Sequence, residues 1–355
     1  MGERAILNAE INTVLQNGVV IPAHPLALQQ NLQLDEQRQR LLTRYYIESG
    51  AGGVAVGVHT TQFEIRSPEI NLYETVLKLA ADEIDKVQLQ NQFIKVAGIC
   101  GTVEQAINEA KLAKKYGYHL GLLSNGGLQH YSEAELIKRA YAVSEIIPLF
   151  GFYLQPAAGG RLLSYEFWRD FVEIPNVYAI KVAAFNRYQT LDVVRAVCNS
   201  KRKNEIALYT GNDDNIVADL LTPYQFQIDD SLIKKKFVGG LLGHWAVWTS
   251  KAVELLNEIK QCINNNYAGA EKLLSIGVSV TDMNATIFDT KNNFRGCIPG
   301  IHEVLRRQGL LKGIWCLNPE EKLSEGQAEE IDRIYKSYAH LTDDMFVKNF
   351  LKQTS

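Results

Sequence analysis

A single lysine interrupts the apolar run Val177-Tyr178-Ala179-Ile180-Lys181-Val182-Ala183. The run reads as a short buried strand, and a lysine is seldom buried without a reason. Alternation sets Val177, Ala179, Lys181 and Ala183 on one face, where small neighbours leave room for the long side chain. An amine held among apolar walls loses the solvation of its charged form, and its pKa falls. The neutral amine that results near pH 7 is the species that attacks a carbonyl carbon. A lysine that snorkels from a strand end into water would fit the same pattern. The second group is Tyr153, near the end of the run Leu149 to Pro156 and on the face of Leu149 and Gly151. It precedes Lys181 by 28 residues, one strand–helix–strand repeat, which sets the two at similar heights on adjacent strands. A phenol beside a desolvated amine can pass the protons that carbinolamine formation and dehydration require. The alternative is a core tyrosine whose hydroxyl finds a backbone partner.

Three histidines fall near strand ends: His24 after the first strand, His59 at the end of the second, and His244 with Trp245 near the end of the eighth. Histidine can act as general acid or base near neutral pH, and His59 ranks ahead of His244 on position. Each is also a fitting hydrogen-bonded structural residue. No metal set stands out. His302-Glu303 lacks the spacing of a zinc helix, and the five cysteines form no CxxC pair. No metal and no external cofactor are expected.

Strands and amphipathic helices must position these groups. After an N-terminal arm (residues 1–17), the chain repeats apolar strand, polar break, amphipathic helix. The strands read as 18–25, 53–61, 93–100, 120–124, 149–154, 177–183, 205–211 and 237–247. Thr102 is an N-cap, and Ser132 with Glu135 forms a capping box. Eight strand–helix pairs of about 30 residues argue for parallel strands with crossover helices, and their number favours a closed (β/α)8 TIM barrel over an open sheet. A doubly wound sheet would carry a glycine-rich phosphate loop after its first strand. Pro22-Ala23-His24-Pro25 stands there instead. The α/β barrel is read as 18–265, followed by a C-terminal helical extension over 266–355.

The net charge of -3 gives no sign of a nucleic-acid partner, and no stretch approaches a membrane span. The short basic run Lys234-Lys235-Lys236 reads as a solvated turn. Free thiols fit a reducing compartment, and the first residues lack a signal-type apolar run; a cytoplasmic protein is expected.

Taken together, Tyr153-x-x-Pro156, the 28-residue gap and the Ile180-Lys181 strand resemble the dihydrodipicolinate synthase / N-acetylneuraminate lyase family. Gly57-Val58-His59-Thr60-Thr61 is similar to that family's Gly-Thr-Thr turn, Gly211-Asn212-Asp213-Asp214 to its Gly-Asp/Asn-Asp turn, and Pro175-Asn176-Val177 to its entry into the lysine strand. The resemblance covers about residues 18–311. It implies a class I, Schiff-base-forming aldolase on a (β/α)8 barrel, with a small-molecule carbonyl substrate and homo-oligomeric assembly as a tetramer or dimer. On that reading Lys181 forms the imine, Tyr153 relays protons, and Thr60 and Thr61 hold the carboxylate of a 2-keto acid. Gly211, His59 and His244 would line the substrate site, and Asp213 and Asp214 would cap the next helix. Two departures set this chain apart. The synthases' acceptor-binding arginine is replaced by Ala158, with Arg161 three places on. Leu123-Ser124-Asn125-Gly126-Gly127 lacks the tyrosine that the family supplies across its subunit interface. The sequence therefore predicts a lyase or aldolase acting on a small carbonyl compound. An imine-dependent dehydratase or hydrolase, and a catalytically silent ligand-binding barrel, are the alternatives.

Overall fold

The computed structural model describes residues 5–87, 89 and 92–354. The helix α1 (Ala9–Asn17) opens the described chain, its first turn capped by Asn8, whose side chain accepts from the backbone N–H of Glu10 at 2.8 Å. The strands in chain order are β1 (Val20–Pro22), β2 (Gly53–Val56), β3 (Ile94–Ile99), β4 (Leu120–Leu123), β5 (Leu149–Leu154), β6 (Val177–Ala183), β7 (Ala207–Thr210), β8 (Tyr224–Ile228), β9 (Ser231–Lys235) and β10 (Phe237–Leu242). Between them lie α2 (Glu36–Glu48), α3 (Tyr73–Asp85), α4 (Val103–Lys115), α5 (Glu133–Ser144), α6 (Tyr165–Phe171), α7 (Arg187–Asn199) and α8 (Ile216–Leu221). Then follow α9 (Thr249–Asn264), α10 (Ala270–Ile287), α11 (Cys297–Arg307), α12 (Gln327–Ser337) and α13 (Asp344–Thr354).

Eight strands join one sheet in the order β1-β10-β7-β6-β5-β4-β3-β2, and a parallel bridge sets Ala23, just past β1, beside Ala55 of β2. This is the expected (β/α)8 barrel with helices after it. The strands are buried along almost their whole length, as parallel strands covered on both faces must be. Local caps fix where helices begin. Thr102 opens α4, and at α5 the Ser132 hydroxyl accepts from Glu135 N–H while the Glu135 carboxylate accepts from Ser132 N–H at 2.7 Å.

By its internal contacts the chain divides into two compact units, Met1–Val19 with Asn91–Leu241 and Val20–Gln90 with Leu242–Ser355. In the first, Gly18 passes so close to Val238 that a side chain there would meet its carbonyl, and the Tyr209 hydroxyl donates to Leu15 O at 2.9 Å. In the second, Asp343 is a buried junction. Its carboxylate accepts from the Tyr45 hydroxyl at 2.7 Å and from Gln308 at 2.8 Å, and Tyr45 in turn accepts from Thr249 N–H.

One pair of strands departs from the sequence reading. β8 and β9 form an antiparallel hairpin outside the barrel sheet, so Lys234 and Lys235 lie on a strand rather than in a solvated turn. The alternation Tyr224-Gln225-Phe226-Gln227-Ile228 is a period-two signal, and Asp229, with φ +49°, makes the turn. Among the described residues no helix is long and apolar enough to cross a membrane.

Candidate active site

Within the first unit, Lys181 is 7% exposed. Its amine sits 4.5 Å from the centre of the Phe152 ring, whose face attracts a cation without accepting a conventional hydrogen bond. On the other side of the strand's register Lys181 pairs with Tyr209 of β7. Room for the side chain comes from Gly211. A Cβ at that position would lie 2.6 Å from Lys181 Cε and 2.9 Å from Lys181 Cγ, so any larger residue would occupy the lysine's space. Burial brings the amine down from 10.5 to about 8, and the negative charge of Asp213 works in the opposite direction. A lowered amine is not by itself a site. Burial also brings Lys235 down to about 8, but its amine donates to Lys203 O on the hairpin side.

The spacing of 28 residues would pair Tyr153 with Lys181 only in an unbroken register. Leu149 pairs with Val177, but Phe150 pairs with Ala179, so Tyr178 is an extra residue in β6. Beyond this bulge Phe152 pairs with Lys181 and Tyr153 with Val182. One residue of register carries a side chain to the opposite face of a sheet. Tyr153 accordingly packs against Trp168 of α6, ring centres 5.3 Å apart. Its hydroxyl donates to Leu163 O at 3.4 Å and accepts from Leu163 N–H at 3.3 Å. Burial pushes this phenol above its ordinary range. The strands thus bring an aromatic ring without a hydroxyl to the amine, and the expected phenol–amine pair is not formed.

The turn after β7 is held by a carboxylate that sequence reasoning missed. Asp219, wholly buried on α8, accepts from Thr210 at 2.8 Å, Asn212 at 2.9 Å, Asn215 at 3.1 Å and Tyr224 at 3.0 Å, and pairs with Arg187. Asn212 is turned toward this network, and its Oδ1 accepts from Phe185 N–H at 2.9 Å. Gly211 is left on the lysine's side of the turn, and the negative charge of the buried Asp213 acts on the amine. The signal in the sequence was a lone acid inside Ile216-Val217-Ala218-Asp219-Leu220-Leu221. Arg161 uses Nη1 to donate to the carbonyls of Leu128 and Tyr131, both at 2.8 Å, and so staples a loop.

The second unit carries the turn after β2. The hydroxyls of Thr60 and Thr61 both donate to His24 O, at 3.2 Å and 2.7 Å. Thr61 Oγ1 also accepts from the N–H groups of Gly57 and Val58. His59 is half-buried against Phe63. His24 is fully buried among Pro25 O, Gln39 and Thr43, and burial brings its imidazole down to about 4. His244 starts the short turn after β10 and lines a cleft of about 320 Å³ with Trp245, Trp248 and His340. Burial brings its imidazole also to about 4, so both rings are neutral at pH 7.

The sequence profile of the dihydrodipicolinate synthetase family matches residues 17–223. N-acetylneuraminate lyase 2 of Escherichia coli O6:H1 is 23% identical over 318 residues, covering 89% of this chain and 92% of that protein. Among solved structures, dihydrodipicolinate synthase from Oceanobacillus iheyensis superposes with a TM-score of 0.74 at 16% identity, over 93% of this chain and 99% of the other. N-acetylneuraminate lyase from Fusobacterium nucleatum, complexed with pyruvate, gives 0.71 at 17% identity, over 92% and 99%.

Proposed function

The chain belongs to the dihydrodipicolinate synthetase family, a family of lyases, and from that premise we propose that it acts on a 2-keto acid through an imine at Lys181. The observation that carries this reading is the buried Lys181 amine, brought to about 8, on a side chain that lies in the space Gly211 leaves for it. At pH 7 such an amine is neutral in about one molecule in ten, against about three in ten thousand for an ordinary lysine. The neutral amine attacks the keto carbon, water is lost, and the protonated imine draws electrons from the adjacent C–C or C–H bond. The Phe152 ring stabilises the cationic nitrogen throughout. We assign carboxylate binding to the turn of His59, Thr60 and Thr61 through its backbone N–H groups, since both threonine hydroxyls donate to His24 O. We assign His244, a neutral ring at pH 7, to substrate binding as well.

The step after the imine is narrowed by Ala158 and Arg161. Alanine stands where the synthases place their acceptor-binding arginine, and Nη1 of Arg161 is engaged with two loop carbonyls. That favours cleavage, or loss of water, over condensation with an acceptor that carries a carboxylate. The test is reduction by borohydride in the presence of pyruvate, 2-oxobutyrate and longer 2-keto acids, followed by intact mass and peptide mapping. The reading expects one adduct on Lys181, absent from Lys181→Ala. An adduct that maps to Lys235 alone, or no adduct with any of these acids, would overturn it.

A further inference from the structure

Left-handed backbone is entered readily by glycine and asparagine and seldom by a residue with a long side chain. Gln62 is held there, at φ +67°, directly after the Thr60-Thr61 pair. Strain of this kind persists only where the surroundings impose it. The backbone N–H of Gln62 donates to His59 O at 2.9 Å and closes the turn. The residue is 1% exposed. Its Oε1 accepts from the backbone N–H of Leu317 at 2.6 Å, across 255 residues of sequence. The amide nitrogen, also buried, has no hydrogen-bond partner among the described residues, so the bond to Leu317 sets how this side chain lies.

The turn has other supports, and they lie elsewhere. The hydroxyls of Thr60 and Thr61 tie it to His24 O, just past β1, and Arg66 Nη2 donates to Gly57 O at 2.8 Å. Gln62 alone among these side chains reaches the segment between α11 and α12, where Leu317 lies. That segment is a firm support. Its first part is held to α2, where Arg38 Nη1 donates to Gly309 O at 2.6 Å, and to the α2 cap, where Lys312 pairs with Asp35 at 2.8 Å.

We infer that Gln62 is a positioning residue for the substrate's carboxylate: by anchoring the end of the His59–Thr61 turn to the backbone of Leu317, it fixes the N–H groups that the turn presents to that acid group. This inference rests on the reading of the turn as the carboxylate-binding element. Hydrogen bonds from N–H groups weaken steeply as their angle departs from linear, and those to a carboxylate are among the stronger ones. A turn that loses its anchor therefore loses affinity for the acid group, while the chemistry at the Lys181 amine is untouched.

A role in folding alone predicts a different outcome. Asparagine suits left-handed backbone better than glutamine, but one methylene less puts its amide out of reach of Leu317. Methionine keeps the length and loses the acceptor. The experiment is borohydride trapping by the full chain as a function of ketone concentration, for wild type, Gln62→Asn and Gln62→Met, with denaturant unfolding alongside. Two probes are used, pyruvate and hydroxyacetone, a neutral ketone without the acid group. In both variants the half-saturating pyruvate concentration should rise about tenfold, the equivalent of one lost hydrogen bond. The maximal trapping rate, and trapping of hydroxyacetone at every concentration, should stay within about twofold of wild type. Gln62→Asn should show this loss even if its stability equals or exceeds that of wild type. An unchanged half-saturating pyruvate concentration in a folded variant, or an equal loss for pyruvate and hydroxyacetone, would overturn the role of Gln62 while leaving Lys181 as the imine residue. If neither variant folds, Leu317→Pro removes the same hydrogen bond from its donor side and is judged by the same comparison. A wild-type protein that half-saturates at the same concentration of both ketones would remove carboxylate binding itself, and the role of Gln62 with it.

Discussion

Replacing Gly211 with alanine tests whether the space beside Lys181 is a working feature. The added methyl group would sit 2.6 Å from Lys181 Cε, 2.9 Å from Lys181 Cγ and 2.9 Å from Ala183 Cβ. Carbon atoms in contact are ordinarily about 3.5–4.0 Å apart, so the crowding amounts to about 1 Å. Ala183 Cβ is fixed to β6 and cannot swing aside, which leaves the lysine to move. Gly211 does not have a positive φ, so the perturbation is steric and not one of backbone strain. Overpacking of this size costs about 1–3 kcal/mol of stability, and displacing a reacting group by about 1 Å costs about 100-fold in rate. Denaturant unfolding at pH 7 reads the first quantity and the rate of borohydride trapping with a reactive 2-keto acid reads the second. The expected result is a folded protein, 1–3 kcal/mol less stable, that traps about 100-fold more slowly. A Gly211→Ala protein with wild-type stability and trapping rate would refute the assignment of this glycine to the lysine's space.

Further outcomes follow from the same geometry. With the amine at about 8, the wild-type trapping rate should climb tenfold per pH unit below 7 and level off near 8; a climb that continues past pH 9.5 would show an ordinary amine. The folded chain gives up this proton at about 8 and the unfolded chain at the usual 10.5. Unfolding free energy should therefore gain a rising contribution from Lys181 as pH increases between those values, visible as a narrower stability gap between wild type and Lys181→Met at pH 10 than at pH 8. Asp219→Ala strips a common acceptor from Thr210, Asn212, Asn215, Tyr224 and Arg187 and should cost about 3–5 kcal/mol in denaturant unfolding; a loss below 1 kcal/mol would contradict the buried network. Thr61→Val removes a hydroxyl that serves Gly57, Val58 and His24, with an expected loss of about 2 kcal/mol and a raised KM for the 2-keto acid if the turn binds carboxylate.

Much of the barrel was legible because its signals are local. The bounds of β5 and β6 read from apolar runs coincide with the structure, and Ser132 with Glu135 announced the start of α5. Lys181 was legible for the same reason: one charge inside an apolar run stands out. The partner of Lys181 was not. Counting 28 residues back gives Tyr153, but the extra residue at Tyr178 shifts the register and brings Phe152 to the amine. Nothing in Val177-Tyr178-Ala179 marks a bulge, because no glycine or proline is needed to form it. Asp219 and the β8–β9 hairpin did leave traces, an acid in an apolar helix and a period-two alternation, but short segments of that kind are outweighed by the stronger barrel repeat around them. The two threonines illustrate another limit. Their types suit ligand binding or turn formation equally, and only the distances to His24 O show that both hydroxyls serve the turn.

The most direct test of the central claim is a crystal of the protein soaked with pyruvate, or with whichever 2-keto acid traps fastest, and solved without reduction. The account predicts electron density continuous from Lys181 Nζ to a trigonal C2, with the Phe152 ring beneath the nitrogen. Density for an intact keto acid detached from the amine, or an empty site with Lys181 Nζ unmodified at saturating ligand, would contradict an imine at Lys181.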